Sequence, residues 1–285
     1  MRVPTARLIG DDRRPGVLAF NVITLEHAQG VLRGAEAAEQ AVILQLSQNA
    51  IRYHGDLAAI AAAMVVLAER STVEVALHLD HITEREIAVR APEIGFGSVM
   101  FDASTLPYEE NVARTAEVAA HLHAVAGAGL WVEGELGEIG GKGDAHTPGV
   151  RTDPEEAADF VGRTGVDGLA VAVGSQHAMA TRGATLDLDL IGELAARLDV
   201  PLVLHGSSGV PHPTIRAAIA AGIRKVNIGT ALNSAFTGAV RERLSDAAIV
   251  DPRRYLSAAR SAVQSASEAE FARILGGGDD APNPE

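Results

Sequence analysis

The sequence predicts a closed (β/α)8 barrel, the TIM-barrel architecture, with an added C-terminal helix. Short β-rich runs alternate with longer Ala-rich amphipathic runs eight times within about 230 residues, which is typical of this fold. The β-rich runs are mostly apolar on both faces, as expected of parallel strands buried on both sides. A doubly wound open sheet is the alternative, and the absence of a G-x-G-x-x-G motif after the first strand weakens its dinucleotide-binding version.

Each element has its own local signals. The predicted strands cover 17–23, 41–47, 73–79, 98–103, 130–136, 168–173, 201–205 and 224–229. The predicted helices lie at about 25–38, 56–70, 83–94, 108–126, 154–164, 187–198, 212–221 and 231–246. Polar caps such as Asp56 and Asp153 begin helices, and glycines such as Gly95 and Gly165 follow their ends. No linker divides the chain, so we predict one domain over 1–275 and a disordered tail over 276–285.

The composition excludes several classes of function. A net charge of −13 argues against nucleic acid as a partner, because binding to phosphate backbones needs a basic face. The chain has no cysteine, which excludes disulfides, thiolate metal sites and a cysteine nucleophile. The N-terminus has no apolar signal-peptide core, and no run reaches about 18 uncharged apolar residues, so no contact with membrane is expected. A cytoplasmic protein is the default expectation.

Polar side chains stand at the C-terminal end of every predicted strand or, for the sixth strand, in the loop that follows it. In a (β/α)8 barrel these ends converge on one mouth, where active sites lie. Eight such positions are hard to explain by stability, because charged groups are costly to bury unless they are paired. The residues in strand order are Asn21, Ser47, Asp80 with His81, Asp102, Glu133 with Glu135, His177, His205 and Asn227.

Three of these residues form a candidate metal site. His81, His177 and His205 would offer three neutral imidazoles with an open fourth position, which fits a catalytic Zn²⁺. The alternative is that each is a hydrogen-bonded core histidine. His78 lies two residues deeper than Asp80, and we interpret it as support for the site or as part of the core.

Two loops are candidates for binding an anion. "LVLHGSSGVP" at 202–211 runs from a strand through small residues into a helix, and "VNIGTALN" at 226–233 repeats the arrangement. Small residues let backbone N–H groups approach an anion, and barrel phosphate sites are often built after strands 7 and 8. The long glycine-rich segment 134–154 is predicted to be a lid.

These motifs together resemble the class II, metal-dependent ketose-bisphosphate aldolases, which act on fructose or tagatose bisphosphate. The resemblance runs in order from about residue 17 to 240. It implies a carbon–carbon lyase of carbohydrate metabolism, including glycolysis, that yields dihydroxyacetone phosphate and an aldehyde. It also implies a catalytic Zn²⁺, allows a monovalent cation in addition, and suggests a homodimer or homotetramer with a small phosphorylated sugar as its substrate. The motifs that carry it are "AFNVITLEH", "VALHLDH", "VEGELGEIGG", "AVAVGSQHA", "LVLHGSSGVP" and "KVNIGTALNSAF".

The resemblance assigns a role to each matching residue. It makes the three histidines the Zn²⁺ ligands, with Asp102 and Glu135 as outer metal-site carboxylates. It makes Asp80 the acid/base that moves the proton of the C4 hydroxyl. The residues that it implies contact substrate are Asn21, Ser47, Gly206, Ser207, Ser208, Asn227, Gly229 and Thr230.

The chain also departs from the pattern of the family. The lid reads "GGKGD" where an acidic residue usually follows the two glycines, so Glu138 or Asp144 is the candidate for that catalytic role. Gly229 stands where many relatives have an aspartate that contacts the substrate hydroxyls, and Asn233 stands where some relatives have a basic residue for the far phosphate. These departures predict that the metal chemistry is intact and that the part of the active site contacting the aldehyde half of the substrate is altered. Candidates for a far-phosphate contact are Arg253, Arg254 and Arg260.

Four alternatives stay open on the sequence. The first is a related aldolase acting on a ketose 1-phosphate without a second phosphate, or on another aldehyde. The second is an imine-forming aldolase, which would need a lysine in the site. Lys142 and Lys225 are the only lysines, and Lys225 is predicted to point to the same face of the last strand as Asn227. The others are a metallohydrolase barrel, which would usually carry a His-x-His pair on the first strand, and a non-catalytic barrel.

Overall fold

The computed structural model describes residues 1–126, 129–137, 151–175 and 183–276. Eight parallel strands follow one another in chain order around a closed barrel, which confirms the predicted fold. Each strand is three to eight residues long and is buried along most of its length. The strands are β1 Val17–Asn21, β2 Val42–Ser47, β3 Val75–Ile82, β4 Ser98–Phe101, β5 Trp131–Leu136, β6 Gly168–Val171, β7 Leu202–Leu204 and β8 Ile223–Ile228.

Helices surround the barrel and the added C-terminal helix is present. In the described residues no single helix is long and apolar enough to cross a membrane, although the bent pair α3 and α4 meets that test by length and composition alone. The helices are α1 Thr5–Ile9, α2 Leu25–Ala37, α3 Gln48–His54, α4 Ala58–Arg70, α5 Arg85–Ala88, α6 Tyr108–Ala126, α7 Pro154–Thr164, α8 Leu188–Arg197, α9 His212–Ala221, α10 Thr230–Leu244 and α11 Pro252–Ile274.

Three local differences from the prediction have physical reasons. The predicted helix over 83–94 shrinks to α5, because Pro92 disfavours a helical residue before it and Gly95 adopts a φ of +80°. The unpredicted α3 begins directly after Ser47, whose hydroxyl oxygen accepts a hydrogen bond from the backbone N–H of Ala50 at 3.2 Å. The unpredicted α1 lies before the first strand and packs under the barrel.

Inward-facing residues alternate along each strand and fill the barrel in layers. The lower part is an apolar cluster, which we call the floor. It combines side chains of α1 with strand residues such as Val17, Ile43 and Ala76. Two residues further along β2 and β3, the inward positions become polar, at Gln45 and His78. The layers therefore carry apolar groups at the bottom and hydrogen-bonding groups towards the mouth.

The C-terminal helix α11 packs against α2 through two glycines. A Cβ atom on Gly30 would lie 2.7 Å from Cγ1 of Val263, and one on Gly34 would lie 2.8 Å from Cβ of Ser267. Such short distances mean that only glycine permits this approach of the two helices. The predicted tail over 276–285 lies outside the described residues from 277 onwards.

Candidate active site

A cavity of about 510 Å³ opens at the mouth of the barrel. It is formed at the C-terminal ends of the strands and by the loops that follow them. Every predicted substrate-contacting residue lies on its wall, together with Asp80, His81 and Asp102. The other residues on this wall are Ile23, Gln48, Asn49, Arg52, Thr83 and Asn233.

His81 is held in an uncommon backbone conformation at the end of β3. Its φ is +48°, in the left-handed region that residues other than glycine rarely adopt, and the register of β3 with β4 shifts between Leu79 and Ile82. Such strain persists where the surrounding structure enforces it, and it is concentrated at functional sites. Nδ1 of the His81 imidazole lies 2.9 Å from Oδ2 of Asp102, which orients the ring.

His205 lies against His81 and is fully buried. Its Nδ1 is 3.0 Å from Nε2 of His81, and its Nε2 is 3.0 Å from Oε1 of Glu133. Glu133 in turn accepts a hydrogen bond from Nζ of Lys225 at 2.8 Å. Glu133 was among the polar strand ends in the sequence, but its contact with His205 needed the structure.

A buried chain of hydrogen bonds continues below the two histidines. Nζ of Lys225 lies 3.4 Å from Nε2 of His78, and Nδ1 of His78 lies 2.8 Å from the hydroxyl of Ser98. Burial, and then the neighbouring Lys225, hold the pKa of His78 well below its usual value. His78 is therefore a neutral supporting residue, and Lys225 is a paired cation below the cavity wall. A buried, ion-paired lysine does not favour imine formation.

The donor set fits a divalent metal. An ionised carboxylate accepts the N–H of its imidazole, so Asp102 and Glu133 favour tautomers in which Nε2 of His81 and Nδ1 of His205 present lone pairs to each other. A cation removes the repulsion between two such lone pairs. Asp80, His81 and His205 each offer one ligand atom within 4.8 Å of the others, and so do His81, Asp102 and Glu135. Imidazole and carboxylate ligands with carboxylate partners behind the imidazoles are typical of metal sites.

Asp80 is a buried carboxylate held in its charged form. Asn21 donates a hydrogen bond to Oδ2 at 2.8 Å, and Asn227 donates one to Oδ1 at 3.3 Å. Burial raises the pKa of Asp80, but His81, His205 and further neighbours outweigh it and bring the pKa to about 2. Asp80 is thus an ionised proton acceptor at the wall of the cavity.

The loops after β7 and β8 line one part of the cavity. Gly206 adopts a φ of +67° and leads into the 3₁₀ turn Ser207–Gly209. Ser207 donates a short hydrogen bond to the carbonyl oxygen of Asn227, which ties this turn to β8. Thr230 begins the 15-residue helix α10 and lines the same cavity, so the N-terminus of this helix lies at the cavity wall.

Three predicted site residues are not covered by these observations. His177, Glu138 and Asp144 lie outside the described residues, so their assignments stay predictions. Gln48 and Arg52 are cavity residues that the sequence analysis missed. They follow Ser47 on α3, and recognising that short helix from its serine cap would have pointed to them.

Comparisons with known proteins identify the family of the chain. Residues 10–278 match the family model described as "Fructose-bisphosphate aldolase class-II". The chain is 39% identical over 250 residues to the fructose-bisphosphate aldolase of Geobacillus stearothermophilus, covering 86% of each chain. It is 38% identical to the sulfofructosephosphate aldolase of Alkalicoccus urumqiensis, covering 81% of this chain and 80% of that one. The crystal structure of the YdjI aldolase from Escherichia coli K12 superposes with a TM-score of 0.85 at 32% identity, covering 96% of this chain and 97% of the other.

Proposed function

The chain belongs to the class II fructose-bisphosphate aldolase family, and from this premise we propose how its residues perform the reaction. It is a divalent-metal-dependent aldolase, a carbon–carbon lyase that acts on a phosphorylated sugar. We propose fructose 1,6-bisphosphate or a closely related ketose bisphosphate, such as the tagatose epimer, as its substrate. The products would be dihydroxyacetone phosphate and an aldehyde. The convergence of Asp80, His81 and His205 at the barrel mouth is the observation that carries the proposal.

The proposed metal is Zn²⁺, held by His81, His177 and His205. Two of these imidazoles face each other at 3.0 Å, and each has a carboxylate behind it that sets its tautomer. Asp102 and Glu135 would serve as the outer carboxylates of the site. When bound, the metal supplies Lewis acidity that polarises the ketose carbonyl.

Asp80 is the proposed base for cleavage. Its carboxylate takes the proton of the C4 hydroxyl, the C3–C4 bond breaks, and C4 becomes the carbonyl carbon of the aldehyde. The electron pair of the broken bond stays on C3, which must then gain a proton to complete dihydroxyacetone phosphate. Glu138 or Asp144 is the proposed donor of that proton. The hydrogen bonds from Asn21 and Asn227 orient Asp80 for the transfer.

The phosphate of the dihydroxyacetone half is proposed to bind at the loops after β7 and β8. Gly206, Ser207 and Ser208 would supply backbone N–H groups and hydroxyls, and Thr230 would supply the start of α10. Asn21, Ser47, Asn227 and Gly229 complete the contacts proposed for the sugar. Fixing the substrate in this way holds the C4 hydroxyl close to its base.

Further proposals concern the molecule as a whole. We propose that residues 1–275 act as one domain, and that the enzyme works in the cytoplasm as a homodimer or homotetramer. A ketose 1-phosphate is the second candidate substrate. The uncharged Gly229 and Asn233 on the cavity wall favour it, because neither would attract a second phosphate.

A cleavage panel tests the proposed function. The purified protein would be assayed with fructose 1,6-bisphosphate, tagatose 1,6-bisphosphate and fructose 1-phosphate, with and without EDTA, and dihydroxyacetone phosphate would be the readout. We expect cleavage that EDTA removes and added Zn²⁺ restores, and a His205→Ala variant that no longer retains metal. Dihydroxyacetone phosphate from none of the three substrates would contradict the proposal. Borohydride trapping of substrate on the protein would favour an imine mechanism instead.

A further inference from the structure

We infer that Arg52 forms an anion subsite for the end of the substrate that lies away from the loops after β7 and β8. The ligand group would be a phosphate or a sulfonate on the terminal carbon of the aldehyde half. This inference rests on the proposed function and deepens it, because it names the residue that selects a doubly anionic ketose.

The charges on the cavity wall carry the first part of the argument. Among the described residues that line the cavity, Arg52 is the sole lysine or arginine, whereas Asp80 and Asp102 are carboxylates. A terminal anion entering this cavity is repelled by those carboxylates unless a cation lies beside it. Arg52 is the side chain that can supply this attraction.

Arg52 is also held in place. It lies four residues after Gln48 on α3, so both side chains project from the same face of the helix. The side-chain oxygen of Gln48 accepts hydrogen bonds from the backbone N–H groups of Thr83 and Glu84 at 2.9 and 3.1 Å, which fixes α3 to the loop after β3. Nη2 of Arg52 donates to Oε1 of Glu84 at 2.6 Å.

The guanidinium keeps donors for a ligand. An arginine carries five N–H donors in a planar fork, and the bond to Glu84 uses one of them. The Arg52 side chain retains 59% of its exposure, so it is available at the edge of the cavity. A planar fork matches the oxygen atoms of a phosphate or sulfonate.

Other candidate positions on the described chain do not supply this charge. Gly229 and Asn233 on the β8 side are uncharged. Arg253 pairs with Asp251, and Arg260 donates to the side chain of Gln29. None of Arg253, Arg254 and Arg260 lines the cavity, so the far-phosphate role predicted for them passes to Arg52 within this chain.

Binding of ligands that cannot be cleaved is the direct test. Titration calorimetry on the metal-loaded protein would compare mannitol 1,6-bisphosphate with mannitol 1-phosphate. We expect the wild type to bind the bisphosphate about 10- to 100-fold more tightly, as expected for a charged hydrogen-bonded pair, and Arg52→Ala to remove that preference. Arg52→Lys should keep part of it, since the charge remains without the planar fork. Arg85→Ala is the matched control: Arg85 also pairs with a glutamate, at 2.8 Å, but does not line the cavity, so the preference should be intact.

Cleavage assays separate the two proposals and the two ligand groups. The ratio of kcat/KM with fructose 1,6-bisphosphate to that with fructose 1-phosphate, and the same ratio with 6-deoxy-6-sulfofructose 1-phosphate, would be measured for wild type and Arg52→Ala. Whichever ratio falls in the variant identifies the terminal anion that Arg52 binds. A bisphosphate preference that survives Arg52→Ala, or equal binding of the two mannitol phosphates by the wild type, overturns the inference. Absence of cleavage with an Arg52-dependent binding preference would contradict the proposed function alone.

Discussion

The floor and the upper half of the barrel interior are both formed by the inward-facing residues of the strands, but the floor is apolar and the upper half is polar. On β2 and β3 the floor residues Ile43 and Ala76 pack against α1, whereas Gln45 and His78, two positions further on, make hydrogen bonds. The floor gains stability from burying apolar surface. Burying the polar and charged groups of the upper half costs free energy of desolvation, which their hydrogen bonds and ion pairs offset. The comparison teaches that buried charge in this barrel lies where partners from neighbouring strands face it, as Lys225 on β8 faces Glu133 on β5.

The largest expected effect is on catalysis at the top of the interior. Asp80→Asn should lower kcat/KM by about 10²- to 10⁴-fold, because the amide keeps the shape of the side chain but cannot accept the C4 hydroxyl proton. Metal content, measured by atomic absorption, should stay at the wild-type level. A parallel loss of metal would mean that Asp80 acts as a ligand rather than as the base.

The next effect tests whether pairing offsets buried charge. Lys225→Met should lower the free energy of unfolding by about 3–5 kcal/mol, because it leaves Glu133 charged and buried without its ammonium partner. Urea denaturation would measure this effect, and the double variant with Glu133→Gln should recover part of the loss. Arg163→Ala, which breaks an exposed pair with Glu109, should cost no more than about 1 kcal/mol. Equal losses of unfolding free energy for Lys225→Met and Arg163→Ala would show that the buried ion pair matters no more to stability than the exposed one.

A smaller effect is expected for the contact between Glu133 and His205. Glu133→Gln should weaken binding of Zn²⁺ by about 10- to 100-fold, as found for carboxylates that orient metal-ligating histidines. Competition with a chromogenic chelator would measure the affinity. Glu155→Gln, at an exposed position on α7, serves as the control. Unchanged metal affinity in Glu133→Gln would show that the carboxylate serves only the lysine.

The smallest effect belongs to the floor. Ile43→Val should lower the free energy of unfolding by about 0.5–1.5 kcal/mol, because it removes one methylene from a fully buried position. The kcat/KM of this variant should equal that of the wild type. A loss of activity at normal metal content would show that packing in the floor affects the active site, so that the two halves of the interior are not independent.

Much of the fold and part of the site follow from local sequence patterns. The alternation of short apolar runs with longer amphipathic runs predicted all eight strands. It succeeded because the hydrophobic pattern of a buried strand is visible in a few consecutive residues. The same reasoning placed Asp80, His205 and Asn227 at strand ends, and strand ends meet in a barrel. Short elements such as α3 and α5 were missed or overextended, since a few residues carry too little periodicity to predict a boundary.

Contacts between distant strands could not be predicted in this way. Lys225 and Glu133 are 92 positions apart, and neither the ion pair nor its contact with His205 has a local signal. The left-handed backbone of His81 and the place of Arg52 on the cavity wall likewise depend on how neighbouring strands and loops meet. Hydrophobic periodicity and strand-end chemistry thus sufficed for the barrel and the identity of its mouth. Only the tertiary structure decided which buried groups pair, which tautomers the histidines adopt and which cation lines the cavity. The reason is that electrostatic and hydrogen-bond energies depend on distances through space rather than along the chain.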